Sequence, residues 1–256
     1  MKFLTCFRSS KGIPMLSAVL FDLGGTLVYQ DEPQKVREAR LRSLSLSLRG
    51  RGHKIELPRM RRAFNEVFKP VYSRCEQTDT EVPLEEPFRR FLAKLNIEAV
   101  DDPQFIRDAM ADFLRPEIVS WKLYPDTIMV LSTLKDMNLK VGLVSNASDH
   151  SVITVIVDRL NIARFFDTVI TSAQLKLRKP KPEIFKKALE SLGVNPSEVV
   201  MVGDTVKGDV GGAKNLGMKA VLVRRAKSEM EEGPAPDAVV QNLADILPFI
   251  KNWLAR

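Results

Sequence analysis

The chain has 256 residues, 45% hydrophobic and 28% charged, which excludes a disordered chain and leaves ample material for a sizeable core. Its net charge is +7, and no apolar run nears the ~18 residues needed to span a bilayer, so a membrane partner is not expected. Two cysteines, Cys6 and Cys75, give neither a disulfide framework nor a metal-site spacing, and point to a reducing, cytoplasmic compartment.

Residues 1–14 read as an N-terminal extension. Their apolar stretch is too short for a signal sequence and lacks a small-residue cleavage site. The first element is an apolar strand, Ala18-Val19-Leu20-Phe21, which delivers Asp22 to its C-terminal edge before Gly24-Gly25 breaks the run. Ligands gather at that edge of a parallel sheet.

Strand patterning then disappears for about ninety residues. Val36, Leu41, Leu44 and Leu48 define a helix over 34–48. A second helix opens at Pro58, with Met60, Phe64, Val67 and Phe68 at helical spacing up to Pro70. Two more cover Leu84–Leu95 and Pro103–Leu114. Four consecutive helices predict a small bundle. Between Lys35 and Arg62 there are ten Lys/Arg against two acids. Such a segment suits a solvated helix face or an anionic small substrate, and the scarcity of aromatics argues against a nucleic-acid partner.

From Pro125 helices and strands alternate. The predicted elements are helix Pro125–Met137, strand Leu139–Val144, a helix from Asp149, a short strand at Thr168–Ile170 and helix Pro182–Leu192. Strand Val199–Val202, helix Val206–Leu216, strand Lys219–Val223 and a helix at Leu243–Leu254 follow, with a loop over Glu229–Asp237. The alternation predicts a parallel α/β sheet with helices on both faces. A hundred-residue connection inside a compact domain must carry its own structure. Residues 31–118 are therefore expected as an inserted helical domain, with the catalytic core formed by 15–30 and 119–256. The linkers near residues 30 and 118 are the expected hinges of a lid.

Three further polar clusters fall at or after strand ends: Ser145-Asn146, then Lys179-Pro180-Lys181-Pro182, then Gly203-Asp204 with Asp209. The motifs FDLGGTL, VSNAS, RKPKPEIF and VGDTVKGDV, in this order, resemble the haloacid dehalogenase-like hydrolase superfamily. The resemblance implies a Rossmann-like core with strand order 5-4-1-2-3 and a helical cap between the first two motifs. It implies Asp22 as nucleophile, forming an aspartyl-phosphate. Mg²⁺ would be held by Asp22, Asp204 and the Gly24 carbonyl. Ser145, Asn146 and Lys179 would bind phosphate, with Lys179 also catalytic and Asp209 in support. These residue types suit the chemistry: carboxylates hold Mg²⁺, and the metal offsets repulsion between an anionic nucleophile and an anionic substrate.

One position departs from the pattern. The family's phosphatases carry an aspartic acid two residues after the nucleophile to protonate the leaving group, and here that residue is Gly24. His53 or Glu56 could replace it. The expected activity is hydrolysis of a small phosphorylated molecule. The alternatives are a dehalogenase, a phosphonatase using Lys35 or Lys54 as a Schiff base, or a non-catalytic anion-binding relative. Oligomeric state is left open.

Overall fold

The structure is a computed structural model that describes residues 15–225 and 232–255. The extension at 1–14 lies outside the described residues, as does part of the expected loop at 229–237.

The core is a six-stranded parallel sheet. Its strands are β1 (Ala18–Phe21), β4 (Lys140–Ser145), β5 (Thr168–Thr171), β6 (Val199–Gly203), β7 (Lys219–Val223) and β8 (Ala238–Val240). They run in the order β5-β4-β1-β6-β7-β8. Counting core strands alone, this is the expected 5-4-1-2-3 read from the other edge, with β8 added. That three-residue strand was missed because it is too short to carry a period.

Both faces of the central strands are apolar, as parallel sheets require. Val19 and Phe21 face a cluster containing Val130, Leu131 and Leu134 of α5 (Thr127–Asp136) and Ile250 of α10 (Leu247–Leu254). Ala18 and Leu20 face Ile184, Phe185 and Ala188 of α8 (Pro182–Leu192). Phe21 pairs with Leu143 on one side and Val202 on the other. This register puts Asp22, Ser145 and Asp204, each just beyond those partners, on one edge.

Four helices, α1 (Pro33–Gly50), α2 (Leu57–Thr78), α3 (Glu85–Lys94) and α4 (Pro103–Ser120), enclose a second core, to which Val152 and Ile156 from the α/β part also contribute. Phe64, Phe68, Phe88, Phe91 and Phe113 form its centre. Helices α2 and α4 outrun the expected ends at Pro70 and Leu114. Pro70 and Pro116, which lie inside these helices, each forfeit one backbone hydrogen bond, but burial of Val71 and Cys75 carries α2 onward. The chain enters and leaves this unit through a two-stranded antiparallel ladder, β2 (Val28–Tyr29) with β3 (Lys122–Leu123).

The expected helix at Val206–Leu216 is split. A π-helical turn, Val206–Gly211, precedes a single α-turn, α9 (Gly212–Asn215). Reciprocal bonds between Thr205 and Asp209 account for the wide first turn: Thr205 Oγ1 accepts from the Asp209 N–H at 3.2 Å, and donates to Asp209 Oδ2 at 2.6 Å.

Candidate active site

Lys179 is the centre of the sheet edge. It follows β5 and the short turn α7 (Ser172–Leu175). Its side chain is only 3% exposed, and its ammonium donates to Asp22 Oδ1 (2.5 Å), Asp209 Oδ1 (2.7 Å) and the Val144 carbonyl (2.8 Å). A buried cation survives only with such partners. Its pKa is raised: burial opposes the charge, but Asp209 and Asp22 together outweigh it.

Asn146 holds this lysine by its backbone. Its Oδ1 accepts from the Lys179 N–H at 2.8 Å and its Nδ2 donates to the Lys179 carbonyl at 3.2 Å. Asp209 is fully engaged, one oxygen on Lys179 and the other on the Thr205 N–H (3.0 Å) and hydroxyl. Ser145 is buried at the end of β4, and its hydroxyl has no protein partner among the described residues. The helix that follows, α6 (His150–Arg159), is capped by Asp149 rather than by Ser145 or Asn146.

Two carboxylates, Asp22 and Asp209, thus share one ammonium, with Asp204 beside them in the same cavity. Burial pushes Asp22 up to about 6, with Lys179 opposing the shift and Asp209 adding to it. Asp204 is open to the water of the cleft, yet desolvation there, then the charges of Asp22 and Asp209, push it to about 7. Two carboxylates held against their preference for neutrality have the donor chemistry of a divalent-cation site.

Gly25 lets Asp204 approach. Its φ is +75°, and a Cβ there would lie 2.1 Å from Asp204 Oδ2. Gly25→Ala is expected to cost about 1–2 kcal/mol in backbone strain alone and to push Asp204 aside. Urea unfolding showing no loss of stability would contradict this.

Asp22, Ser145, Asn146, Lys179, Asp204 and Asp209 line one cavity of 490 Å³, with Gly24. The helical unit closes it from above with Arg40, Tyr72, Leu114 and Glu117. Of the ten basic residues between 35 and 62, only Arg40 reaches the lining, and it is paired with Glu117 at 2.6 Å. His53 lies edge-on to Phe105, Lys35 pairs with Glu32, and none of His53, Glu56, Lys35 or Lys54 lines the cavity.

The segment after α2 docks on the core. Glu81, nearly buried, accepts from Arg178 (2.7 Å) and Ser172 (2.6 Å), and the Leu84 N–H donates to the Ser148 carbonyl at 2.8 Å. Sequence reasoning missed Thr205, Glu81, Arg178, Tyr72 and Trp121. Only Thr205 carried a usable signal, its spacing of four from Asp209 in a turn.

The family model for haloacid dehalogenase-like hydrolases matches residues 16–217. Over 239 residues the chain is 29% identical to glyceraldehyde 3-phosphate phosphatase of Methanocaldococcus jannaschii, covering 93% of this chain and 98% of that one. Among solved structures, a HAD phosphatase from Thermococcus onnurineus superposes with a TM-score of 0.65 at 25% identity, covering 92% and 98% of the two chains. The L-2-haloacid dehalogenase of Xanthobacter autotrophicus superposes with a TM-score of 0.61 at 27% identity, covering 93% and 99%. With a matched core, a parallel sheet and an inserted helical unit, the chain is a hydrolase and belongs to the haloacid dehalogenase-like hydrolase family.

Proposed function

We propose that the chain is a Mg²⁺-dependent phosphohydrolase acting on a small phosphorylated molecule through an aspartyl-phosphate on Asp22. The observation that carries this reading is the Lys179 ammonium clamped between Asp22 and Asp209 beside the second open carboxylate, Asp204. Asp22 has one oxygen on Lys179. The other is the attacking atom in this reading, so nucleophile and phosphate-binding cation are already in register. The unpartnered Ser145 hydroxyl and Lys179 would receive the phosphoryl oxygens. Asn146 acts by holding the Lys179 backbone, and Asp209 by holding its ammonium.

Asp22, Asp204 and the Gly24 carbonyl would hold Mg²⁺, which when bound supplies positive charge against a phosphate dianion. The raised carboxylates fit that group. In this reading residues 15–30 and 119–256 are the catalytic core, 31–118 the cap and 1–14 an extension, and the β2–β3 ladder is where the cap would hinge. A cytoplasmic location goes with it, supported by the buried free thiol of Cys75. Among the described residues no helix is long and apolar enough to cross a membrane.

The test is phosphate release from a panel of phosphate esters with and without Mg²⁺. Metal-dependent release with acid-stable label on the protein is the expected result. Absence of release from every ester, activated ones included, would end the reading.

The metal site also predicts a pH dependence. Asp22 and Asp204 rise from 3.8 to about 6 and about 7 on folding without metal. The folded chain then holds protons that the unfolded chain releases. The stabilisation these groups give is complete below pH 4 and is lost as pH rises through 6 and 7. The thermal midpoint of chelator-treated protein should fall from pH 5 to pH 8, with Mg²⁺ raising it more at pH 8. An equal Mg²⁺ effect at both would speak against the assignment.

A further inference from the structure

The leaving-group side of the cavity combines two features. The first is an aromatic face. Trp121 ends α4, immediately before β3, and packs against both the sheet core and the helical core. Its ring covers Gly24: a Cβ there would meet Trp121 Cη2 at 3.4 Å and Cζ3 at 3.8 Å. Its indole N–H is buried without a partner among the described residues, so packing is what holds the ring. Leu84, Leu114, Val152, Ile153 and Ile156 continue the apolar wall.

The second feature is that, among the described residues, no acidic side chain of the lining beyond the proposed metal ligands is free to protonate a departing oxygen. Each acidic side chain lining the cavity beyond Asp22 and Asp204 is already committed. Glu81 is held by Arg178 and Ser172, and Glu117 by Arg40. Asp149 accepts from the N–H groups of Ser151 and Val152, and Asp209 from Lys179 and Thr205. Tyr72 has its phenol pushed above its ordinary value, by desolvation first, which makes it a poorer donor.

We infer that Trp121 is the specificity-determining wall of this site and that the substrate is a phosphate monoester of a phenol, a planar group that departs without a proton. The inference rests on the phosphohydrolase reading and names its substrate class. In the first step an Asp22 oxygen forms a bond to phosphorus, and the phosphorus–oxygen bond to the ring breaks with its electron pair leaving as phenoxide. In the second, water cleaves the aspartyl-phosphate to give the Asp22 carboxylate and dihydrogen phosphate. The missing side chain at 24 serves neither step, so the second becomes rate-limiting once the leaving group is acidic enough. Phenol should then appear in a burst of about one equivalent per site, with a common kcat along an aryl series.

The experiment is a Mg²⁺-loaded comparison of nitrophenyl, phenyl and alkyl phosphates on wild type, Trp121→Ala, Trp121→Phe and Gly24→Asp. Wild type should show kcat/KM rising at least ~100-fold from alkyl to nitrophenyl ester, because proton donation is typically worth about 10²–10⁴-fold. Trp121→Ala should raise KM for aryl esters roughly tenfold and for alkyl esters by much less, while Trp121→Phe keeps the aryl preference. Gly24→Asp should gain most on alkyl esters and erase the burst. Wild type hydrolysing alkyl and aryl esters equally well, or Trp121→Ala slowing both alike, would overturn the inference and leave the phosphohydrolase reading standing. No phosphate release from any ester takes down both.

Discussion

Asp22→Asn is expected to lose roughly 10⁴–10⁶-fold in Mg²⁺-dependent phosphate release, the scale on which removing the nucleophile of a covalent hydrolase acts, with little change in fold. Asparagine keeps an oxygen to accept from Lys179, and Lys179 keeps Asp209 and the Val144 carbonyl. It also removes a carboxylate that burial holds at about 6. Above that pH the ionised aspartate works against the metal-free fold, whereas the neutral amide does not. Activity and stability should therefore part: turnover disappears, while the thermal midpoint of metal-free protein at pH 8 stays level or rises. Retained turnover would remove Asp22 as nucleophile. Lost turnover together with a collapsed midpoint would mean that the residue is structural.

Lys179→Met is expected to damage both. Methionine fills a similar volume but leaves the carboxylates of Asp22 and Asp209 facing each other, with Asp209 only 1% exposed. Breaking a buried ion pair from one side typically costs about 3–5 kcal/mol, because the remaining charge has no compensation. Since that cost lies in the stranded charge, the double variant Lys179→Met/Asp209→Asn should recover part of the stability and none of the activity. Chemical denaturation of the four proteins in the cycle measures the coupling. Additive effects, with no recovery, would show that the ammonium–carboxylate contact is not what stabilises this edge.

The elements with a clean local signal were legible in the sequence. Helix α8 was bounded correctly at Pro182 and Leu192, by proline at its start and glycine just beyond its end. Strand β7 matched over Lys219–Val223. Misreadings occurred where tertiary burial outweighed local rules. Pro70 and Leu114 are the helix ends that local spacing predicts, but both helices run on, past Pro70 and Pro116, because their apolar faces are already buried. The excess positive charge at 35–62 also looked larger than it is in space. Asp112 and Glu117, from a helix more than fifty residues later, pair with Arg51 and Arg40.

By itself the sequence determined a parallel sheet with Asp22 at its edge, an insertion after β1, and a glycine two residues beyond Asp22. Those are consequences of periodicity, of apolar strand runs and of residue identity, all of which act over a few residues. Only the tertiary structure decided that Lys179 crosses 157 positions to reach Asp22, that Asn146 holds the backbone of that lysine while Thr205 holds its partner Asp209, and that Trp121 lies over Gly24. Contacts of this kind join segments whose separation along the chain leaves no local pattern; they exist because burying an ammonium or an indole stabilises the fold only when distant partners arrive together.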